Sequence, residues 1–142
     1  MSNKIIPIFY ACDDAFVKYT IVSLSSIIKN ASRDHQYKVY VLNTSIGNEM
    51  KEKLSELENE QFEINFVDVS DMLSTISKEL PIRHYYSKTT YYRFFIAEMF
   101  PQYSKAIYID SDTIVQGDIS KLYETDIGDS YLGACHSRQW CR

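Results

Sequence analysis

The sequence is poor in residues that break regular structure and in patterns that mark several protein classes. Its 142 residues include only 4 glycines and 3 prolines, which excludes collagen-like and disordered low-complexity chains. The 3 cysteines show no C-x-x-C spacing, and their odd number argues against a disulfide framework. The formal net charge is −4, with no Lys/Arg cluster, which argues against a nucleic-acid partner.

No apolar run in the chain has the length of a membrane span. The N-terminal run from Ile5 to Cys12 contains Pro7 and is followed by Asp13 and Asp14, so it is neither a transmembrane segment nor a signal peptide. Cys12 and Cys135 lie in apolar surroundings, where we expect each to be a small, buried and reduced thiol. We therefore expect a single folded domain in the cytoplasm.

Several catalytic motifs are also absent. There is no G-x-G-x-x-G after the first apolar run, no G-x-x-x-x-G-K-[ST] and no G-x-S-x-G, which excludes the common phosphate-loop and serine-hydrolase patterns. The histidines His35, His84 and His136 lie far apart and form no metal-ligand spacing. The residues that remain for chemistry are acidic ones, one well-placed arginine and aromatics.

Apolar runs alternate with amphipathic stretches along the chain. The predicted strands are Lys4–Ala11, Tyr37–Asn43, Phe62–Val69, Lys105–Ile109 and Tyr131–His136. The predicted helices occupy residues 13–30, 48–59, 70–78 and about 89–100, with a helical turn after Gly117. Such alternation predicts an α/β fold with a largely parallel sheet, whose ligands gather at the carboxyl ends of the strands.

The stretch IYIDSDTIV, from Ile107 to Val115, places two carboxylates at the end of an apolar strand. Side chains two residues apart in an extended segment point the same way, so Asp110 and Asp112 face one space. Like charges so placed oppose each other's ionisation, and a divalent cation such as Mg²⁺ or Mn²⁺ removes that cost. The alternative is that Asp112 simply begins a turn.

The segment TTYYRFFIAEMF carries a single arginine, Arg93, among aromatic and aliphatic residues. This composition predicts a largely buried helix, in which an unpaired guanidinium would be costly. Its anionic partner is either a carboxylate such as Glu98, or a phosphate or the aspartates of the D-x-D motif. The residues themselves leave both interpretations open.

Four segments in order carry a family resemblance: YACDD, PIRHYYSKTTYYRFFIAEMFP, KAIYIDSDTIVQGDISKLYETDIGD and YLGAC. Together they closely resemble glycosyltransferase family 8 over nearly the whole chain. The resemblance implies a GT-A type fold, a UDP-hexose donor (UDP-galactose or UDP-glucose), a carbohydrate acceptor and retaining transfer in cell-surface polysaccharide or lipopolysaccharide synthesis. It also implies that residues 1–142 form the nucleotide-sugar-binding domain.

The resemblance also implies roles for individual residues. Asp110 and Asp112 match the ligands of Mn²⁺ (or Mg²⁺) on the donor diphosphate. The residues that match donor-binding positions are Ala11, Asp13, Phe16, Arg93 and Ser111. His84 matches a position that approaches the acceptor. Ala15 departs from the family, which often carries Asn there, so one nucleotide contact is lacking.

The family takes a third metal ligand, a late histidine, and the sugar-contacting residues from a C-terminal half, and His136 comes too early to replace that histidine. We therefore expect a truncated chain whose catalytic residues lie in the absent half. The same half would supply peripheral membrane association, and its loss would leave apolar edges that favour a homo-oligomer.

Two other functions are alternatives to a glycosyltransferase. The stretch IYIDSDTIV superficially resembles the D-x-D of haloacid-dehalogenase phosphatases, whose first aspartate is a nucleophile. However, Thr113 directly follows Asp112 where that family usually has Gly, and the remaining sequence is short for its other catalytic groups. The second alternative is a truncated, non-catalytic fragment that binds nucleotide.

Overall fold

The computed structural model describes residues 3–76 and 89–134. Its strands are β1 (Ile5–Ala11), β2 (Gln36–Asn43), β3 (Phe62–Asp68) and β4 (Ile107–Tyr108). Its helices are α1 (Val17–Asn30), α2 (Asn48–Ser55), α3 (Ser70–Ile76), α4 (Thr89–Tyr92), α5 (Ile96–Met99) and α6 (Ile119–Glu124). Two 3₁₀ turns, Asp14–Phe16 and Arg93–Phe95, precede α1 and α5.

The four strands form one parallel sheet in the order β3-β2-β1-β4. Strand β1 pairs over its whole length with β2 and also pairs with β4, so that Phe9 lies between Tyr40 and Tyr108. The chain adds β2 and β3 on one side of β1 and then returns to its other side for β4. This reversal between β1 and β4 is the usual place for a ligand in an open α/β sheet.

Helices cover both faces of the sheet, and alternate residues of β1 point to opposite faces. Ile6, Ile8 and Tyr10 belong to the core beneath α1, α2 and α6. Phe9 belongs to a second core with residues of α3, α4 and α5. Covering on both faces explains why β1 reads as a continuous apolar run. The α/β, mostly parallel fold that the sequence predicts is confirmed.

An aromatic cluster attaches the α4–α5 region to the second face. The rings of Phe9 and Tyr40 stack with centroids 4.9 Å apart, and Phe100 lies 4.9 Å from Phe9 and 4.6 Å from Tyr40. The Tyr40 and Tyr103 hydroxyls are 2.7 Å apart and hydrogen-bond to each other. These contacts satisfy the polar ends of buried tyrosines while their rings fill the core.

Three predicted elements differ from the structure. The helix expected from about Thr89 is broken into α4, a 3₁₀ turn and α5, although it ends before Pro101 as predicted. The fourth strand is limited to β4, because within the described chain it is an edge strand that pairs only with β1. The helix expected over residues 48–59 is shorter and ends at Ser55.

The predicted final strand is wrong for the part that the structure describes. Residues 131–134 form no strand, and Tyr131 and Leu132 are 106% and 81% exposed. Side chains so exposed gain no burial, and burial against a sheet is what favours a strand there. Cys135 and His136 lie outside the described residues.

Helix α1 offers a test of the first core. Leu24 is fully buried, whereas Val22 on the same helix is 55% exposed. We expect Leu24→Ala to lower the free energy of unfolding by about 2–5 kcal/mol, because it removes packed methyl groups and leaves a cavity. Val22→Ala should change it by less than about 0.5 kcal/mol. Urea unfolding followed by circular dichroism measures both, and equal losses would contradict the assignment of these two helix faces.

Candidate functional site

The carboxyl ends of β1 and β4 lie side by side at the reversal of strand order, and acidic residues follow both. Asp13 and Asp14 follow β1, while Asp110 and Asp112 follow β4. The structure thus brings together two acidic stretches that are far apart in the sequence. The Asp13 and Asp14 carboxylates each accept a backbone hydrogen bond, whereas Asp110 and Asp112 are exposed and form no salt bridge within the described residues.

The D-x-D residues alternate between solvent and core. Asp110 and Asp112 are exposed, and Ser111 between them is only 6% exposed. The Ser111 hydroxyl accepts a hydrogen bond from Thr20 Oγ1 at 2.9 Å and lies 3.5 Å from the Ala11 carbonyl oxygen, to which it donates. Because its side chain is so engaged, a nucleoside contact from Ser111 would have to come from its backbone.

The carboxylate oxygens of Asp110 and Asp112 fit a hard divalent cation. Two exposed carboxylates on one side of a strand end offer the oxygen ligands that Mg²⁺ and Mn²⁺ take, with water and substrate phosphates in the other positions. Among residues 3–76 and 89–134, no group of three or more His, Cys, Asp or Glu side chains could hold a metal by itself. Within the described chain, Asp110 and Asp112 could therefore supply only part of a cation's coordination, and other groups would have to supply the rest.

Arg93 is exposed, so the expectation of a largely buried arginine is wrong. Tyr92 and Phe95 point into the core, while Phe94, which is 68% exposed, and Arg93 point outward. The Arg93 side chain is held by a hydrogen bond from Nε to the Thr90 carbonyl at 2.9 Å. Arg93 and Glu98 form no salt bridge, which removes the structural pairing considered from the sequence.

Tyr108 connects Arg93 to the D-x-D residues, a link that the sequence did not reveal. The Arg93 guanidinium carbon lies 5.2 Å from the centre of the Tyr108 ring, within the range of a cation–π contact. Burial, followed by the charge of Asp110, raises the pKa of Tyr108 to about 12, although the positive charge of Arg93 opposes this rise. The phenol therefore keeps its proton near neutral pH and can donate to the Asp110 carboxylate.

The remaining predicted donor-binding residues lie between the end of β1, at Ala11, and the start of α1. Asp13 accepts a hydrogen bond from the Phe16 amide at 3.2 Å and so caps the 3₁₀ turn. Phe16 is 46% exposed, and its ring lies 5.6 Å from that of Tyr19. An exposed aromatic face at this edge suits stacking on a base. His84, the predicted acceptor contact, lies outside the described residues.

Cys12 is next to these residues but is unsuited to covalent chemistry. It is a free thiol, 1% exposed. Burial, as the main cause, raises the pKa of Cys12 to about 11, even though a hydrogen bond with Thr20 lowers it. Because the thiolate is the reactive form, this cysteine is inert at neutral pH, and the prediction of a small buried thiol is confirmed for Cys12.

Comparison with known proteins identifies glycosyltransferases, which agrees with the nucleotide-sugar site expected at this edge of the sheet. The family model for glycosyl transferase family 8 matches residues 7–141. The glycosyltransferase GlyE of Streptococcus pneumoniae is 28% identical over 96% of the chain and 33% of its own length. A putative glycosyltransferase of Haemophilus influenzae is 30% identical over 90% of the chain and 38% of its own length.

Solved structures agree with these relatives. The galactosyltransferase LgtC, in complex with donor and acceptor sugar analogs, superimposes with a TM-score of 0.74 at 25% identity, over 96% of this chain and 50% of LgtC. The bifunctional glycosyltransferase WbbM gives a TM-score of 0.73 at 28% identity, over 87% of this chain and 21% of its own. These neighbours confirm a GT-A type architecture.

The chain thus spans about a third of the two curated relatives and half of LgtC. No helix within the described residues has the length and apolar character needed to cross a membrane. The family match covers the D-x-D stretch and almost all of the remaining chain, which excludes the phosphatase interpretation. By this match and by its fold, the chain belongs to glycosyltransferase family 8.

Proposed function

We propose that the chain binds the nucleotide and diphosphate of a UDP-hexose together with a divalent cation, as the donor-binding domain of a retaining hexosyltransferase. Residues 1–142 form this nucleotide-sugar-binding domain. The observation that carries the proposal is the placement of Asp110 and Asp112. Both are exposed where β4 ends beside β1, and Ser111 between them is turned into the core.

The residues at this edge divide into a metal side and a base side. Asp110 and Asp112 bind Mn²⁺ or Mg²⁺ on the diphosphate. Phe16, at the start of α1, stacks on the uracil, and Ala11 and Asp13 contact the uridine through the end of β1. Asp13 has one carboxylate oxygen engaged with the Phe16 amide, which leaves the other free for a ligand.

Arg93 supplies positive charge beside the D-x-D residues, because its guanidinium contacts Tyr108 next to Asp110. Its guanidinium lies over the ring of Tyr108, which precedes Asp110 by two residues and hydrogen-bonds its side chain. A planar guanidinium binds phosphate oxygens in pairs and keeps its charge at all relevant pH values. We assign it to the donor phosphates.

A bound divalent cation supplies Lewis acidity that offsets the charge developing on the departing diphosphate. The chain's own residues orient the leaving group. Asp110 and Asp112 would hold the cation, Arg93 adds a hydrogen-bonding charge beside the leaving group, and the buried side of the strand end excludes water from beneath. No residue of the described chain is assigned to the sugar or to the attacking acceptor.

The finer parts of the proposal come from the relatives. LgtC is a galactosyltransferase, which favours UDP-galactose, with UDP-glucose as the other donor, and a carbohydrate acceptor in cell-surface polysaccharide or lipopolysaccharide synthesis. We place the protein in the cytoplasm, a location that its free, buried Cys12 fits. The acceptor contact by His84, peripheral membrane association and self-association stay predictions. The non-catalytic alternative predicts the same donor binding without transfer.

Calorimetric titration tests the proposed donor site directly. UDP, UDP-galactose and UDP-glucose should bind in the presence of MnCl₂ and lose most of their affinity when EDTA removes the metal. The reason is that two carboxylates facing a diphosphate repel it unless a cation lies between them. UDP binding that is equally tight in EDTA would contradict a metal-dependent site.

The two aspartates should each be needed. We expect Asp110→Asn and Asp112→Asn to weaken UDP binding in MnCl₂ by about tenfold or more, because the change keeps the shape of the ligand but removes its charge. Asp34→Asn is the matched control, since Asp34 is an exposed aspartate before β2 at the opposite end of the sheet. An Asn variant at position 110 or 112 that binds like the parent would remove that residue from the site.

Arg93 can be separated from a merely structural residue. Arg93→Lys keeps the charge but loses the planar fork and the stacking on Tyr108, so UDP–Mn²⁺ affinity should fall by about threefold to tenfold. Because Arg93 is exposed, the free energy of unfolding should change by less than about 1 kcal/mol.

The control is Arg33→Lys, which makes the same change in an exposed residue of the turn between α1 and β2. If Arg93→Lys lowers the melting temperature and leaves UDP affinity unchanged, Arg93 serves stability instead of the donor.

A further inference from the structure

The segment from Asp110 to Val115, which we call the D-x-D segment, has little backbone support from the sheet. On the described chain, the last hydrogen bond between β4 and its neighbour runs from the Ile109 amide to the Phe9 carbonyl, at 2.9 Å. The next regular element, α6, begins only at Ile119. Holding such a segment in one conformation costs entropy, so other contacts must fix the two carboxylates in space.

Helix α1 presents an unexpected row of polar side chains to this segment. We call Thr20, Ser23, Ser26 and Asn30 the polar row; their spacing of three or four residues places them on one helix face. Thr20 and Ser23 are fully buried, and Ser26 and Asn30 are half-buried. Polar groups on a buried face are costly unless they are hydrogen-bonded, so the row requires partners across the interface.

The first half of the row bonds the side chains of the segment. Thr20 Oγ1 donates to Ser111 Oγ at 2.9 Å, on the residue between the two aspartates. Ser23 Oγ lies 2.9 Å from the Tyr10 hydroxyl and 3.3 Å from Thr113 Oγ1. These contacts join α1 to the segment at every second residue, on the side opposite to the carboxylates.

Each hydroxyl of this hydrogen-bonded series has one proton to donate, and this fixes the direction of each bond. Thr113 Oγ1 donates to the Asp110 carbonyl at 2.9 Å, so it must accept from Ser23. Ser23 then accepts from Tyr10, and burial, as the main cause, keeps that phenol protonated by raising the pKa of Tyr10. A continuous series of hydrogen bonds therefore runs from Tyr10, near the carboxyl end of β1, to the backbone of Asp110.

The second half of the row bonds the backbone at the end of the segment. The Val115 amide donates to Ser26 Oγ at 2.9 Å, and Asn30 Nδ2 donates to the Val115 carbonyl at 2.9 Å. Beyond α1, the Ser32 amide donates to Asp118 Oδ1 at 3.1 Å. This bond extends the hydrogen-bonded contact between α1 and the D-x-D segment, which we call the seam, to the start of α6. Both polar groups of one peptide residue are thus satisfied by α1.

We propose that the polar row of α1 is the device that positions the metal-binding carboxylates. Its members touch neither donor nor metal, so they are positioning residues that act through Ser111, Thr113 and Val115. The proposal rests on the proposed function, in which Asp110 and Asp112 bind the cation. It adds that cation affinity is set from the opposite side of the segment, by hydroxyl and amide groups of α1.

A pair of variants at Thr20 separates positioning from packing. Thr20→Val removes the hydroxyl and keeps the branched shape, whereas Thr20→Ser keeps the hydroxyl and removes a buried methyl group. Binding of MnCl₂ to the UDP-saturated protein is followed by the electron paramagnetic resonance signal of free Mn²⁺. We expect Thr20→Val to raise the Kd by about threefold to tenfold, the equivalent of one hydrogen bond, and Thr20→Ser to leave it unchanged.

A second pair compares adjacent serines. Ser26→Ala removes the acceptor of the Val115 amide, while Ser25→Ala removes an exposed hydroxyl that bonds only its own helix, at the Ile21 carbonyl. We expect a weaker Mn²⁺ affinity for Ser26→Ala alone. Parent-like affinity in both Thr20→Val and Ser26→Ala, or equal losses in Ser25→Ala and Ser26→Ala, would overturn the proposal. Because Ser26 is only half-buried, this pair decides the question if Thr20→Val does not fold.

A metal-free measurement distinguishes failure of this inference from failure of the proposed function. Amide hydrogen exchange at Val115 should be faster in Ser26→Ala than in the parent or Ser25→Ala, with EDTA present and no nucleotide. If the parent binds no Mn²⁺ with UDP, the proposed function fails, while this exchange still tests whether α1 holds the segment. Unchanged exchange in Ser26→Ala would show that it does not.

Discussion

The position of β1 is the constraint on which the rest of the described structure depends. Its backbone pairs with β2 on one side and β4 on the other, and its side chains are covered on both faces. Every other strand is therefore placed directly or indirectly by β1. The acidic residues after β1 and β4 meet at one edge of the sheet because the chain leaves β1 in one direction and returns on its other side. The two strand ends thus become neighbours without any local signal in the sequence.

Helix α1 joins the two sides of the site into one unit. The 3₁₀ turn that leads into it carries Phe16 and is capped by Asp13, and its buried face carries the polar row that bonds the D-x-D segment. The base side and the metal side of the proposed donor site are thus attached to one helix, which packs on β1 through Val17, Leu24 and Ile27. The packing of α1 in the first core therefore fixes the positions of these functional groups relative to one another.

Much of this arrangement was predictable, because the pattern and the structure share a cause. Strands β1, β2 and β3 lie within a residue or so of their predicted positions, since burial and pleat alternation both leave a record in the sequence. Asp110 and Asp112 are exposed around a buried Ser111 as that pattern predicts, although Ser111 and Asp112 lie in a turn, the alternative that the sequence left open. The roles taken from the family resemblance required more than pattern, because no local rule assigns a uridine contact to Ala11 or Asp13.

The errors also have physical causes. Apolar neighbours in sequence suggested that Arg93 is buried, but the break between α4 and α5 turns Arg93 and Phe94 outward together. The sequence does not reveal the role of the polar row, because Thr and Ser are common on solvent-facing helix surfaces and their partners here are about 90 residues away. The available signal was a polar residue at every third or fourth position, interleaved with the apolar residues Val17, Leu24 and Ile27 that α1 buries.

The seam between α1 and the D-x-D segment has a consequence for protein engineering within this family. A segment transplanted from a relative would bring its own inward-facing residues and meet the hydroxyls of Thr20, Ser23 and Ser26 without matching partners. Each mismatch would leave a buried polar atom unpaired, which is costly even where the transplanted aspartates are identical. The unit that can be exchanged between relatives is therefore the segment together with one face of α1, two pieces that lie about 90 residues apart in the sequence.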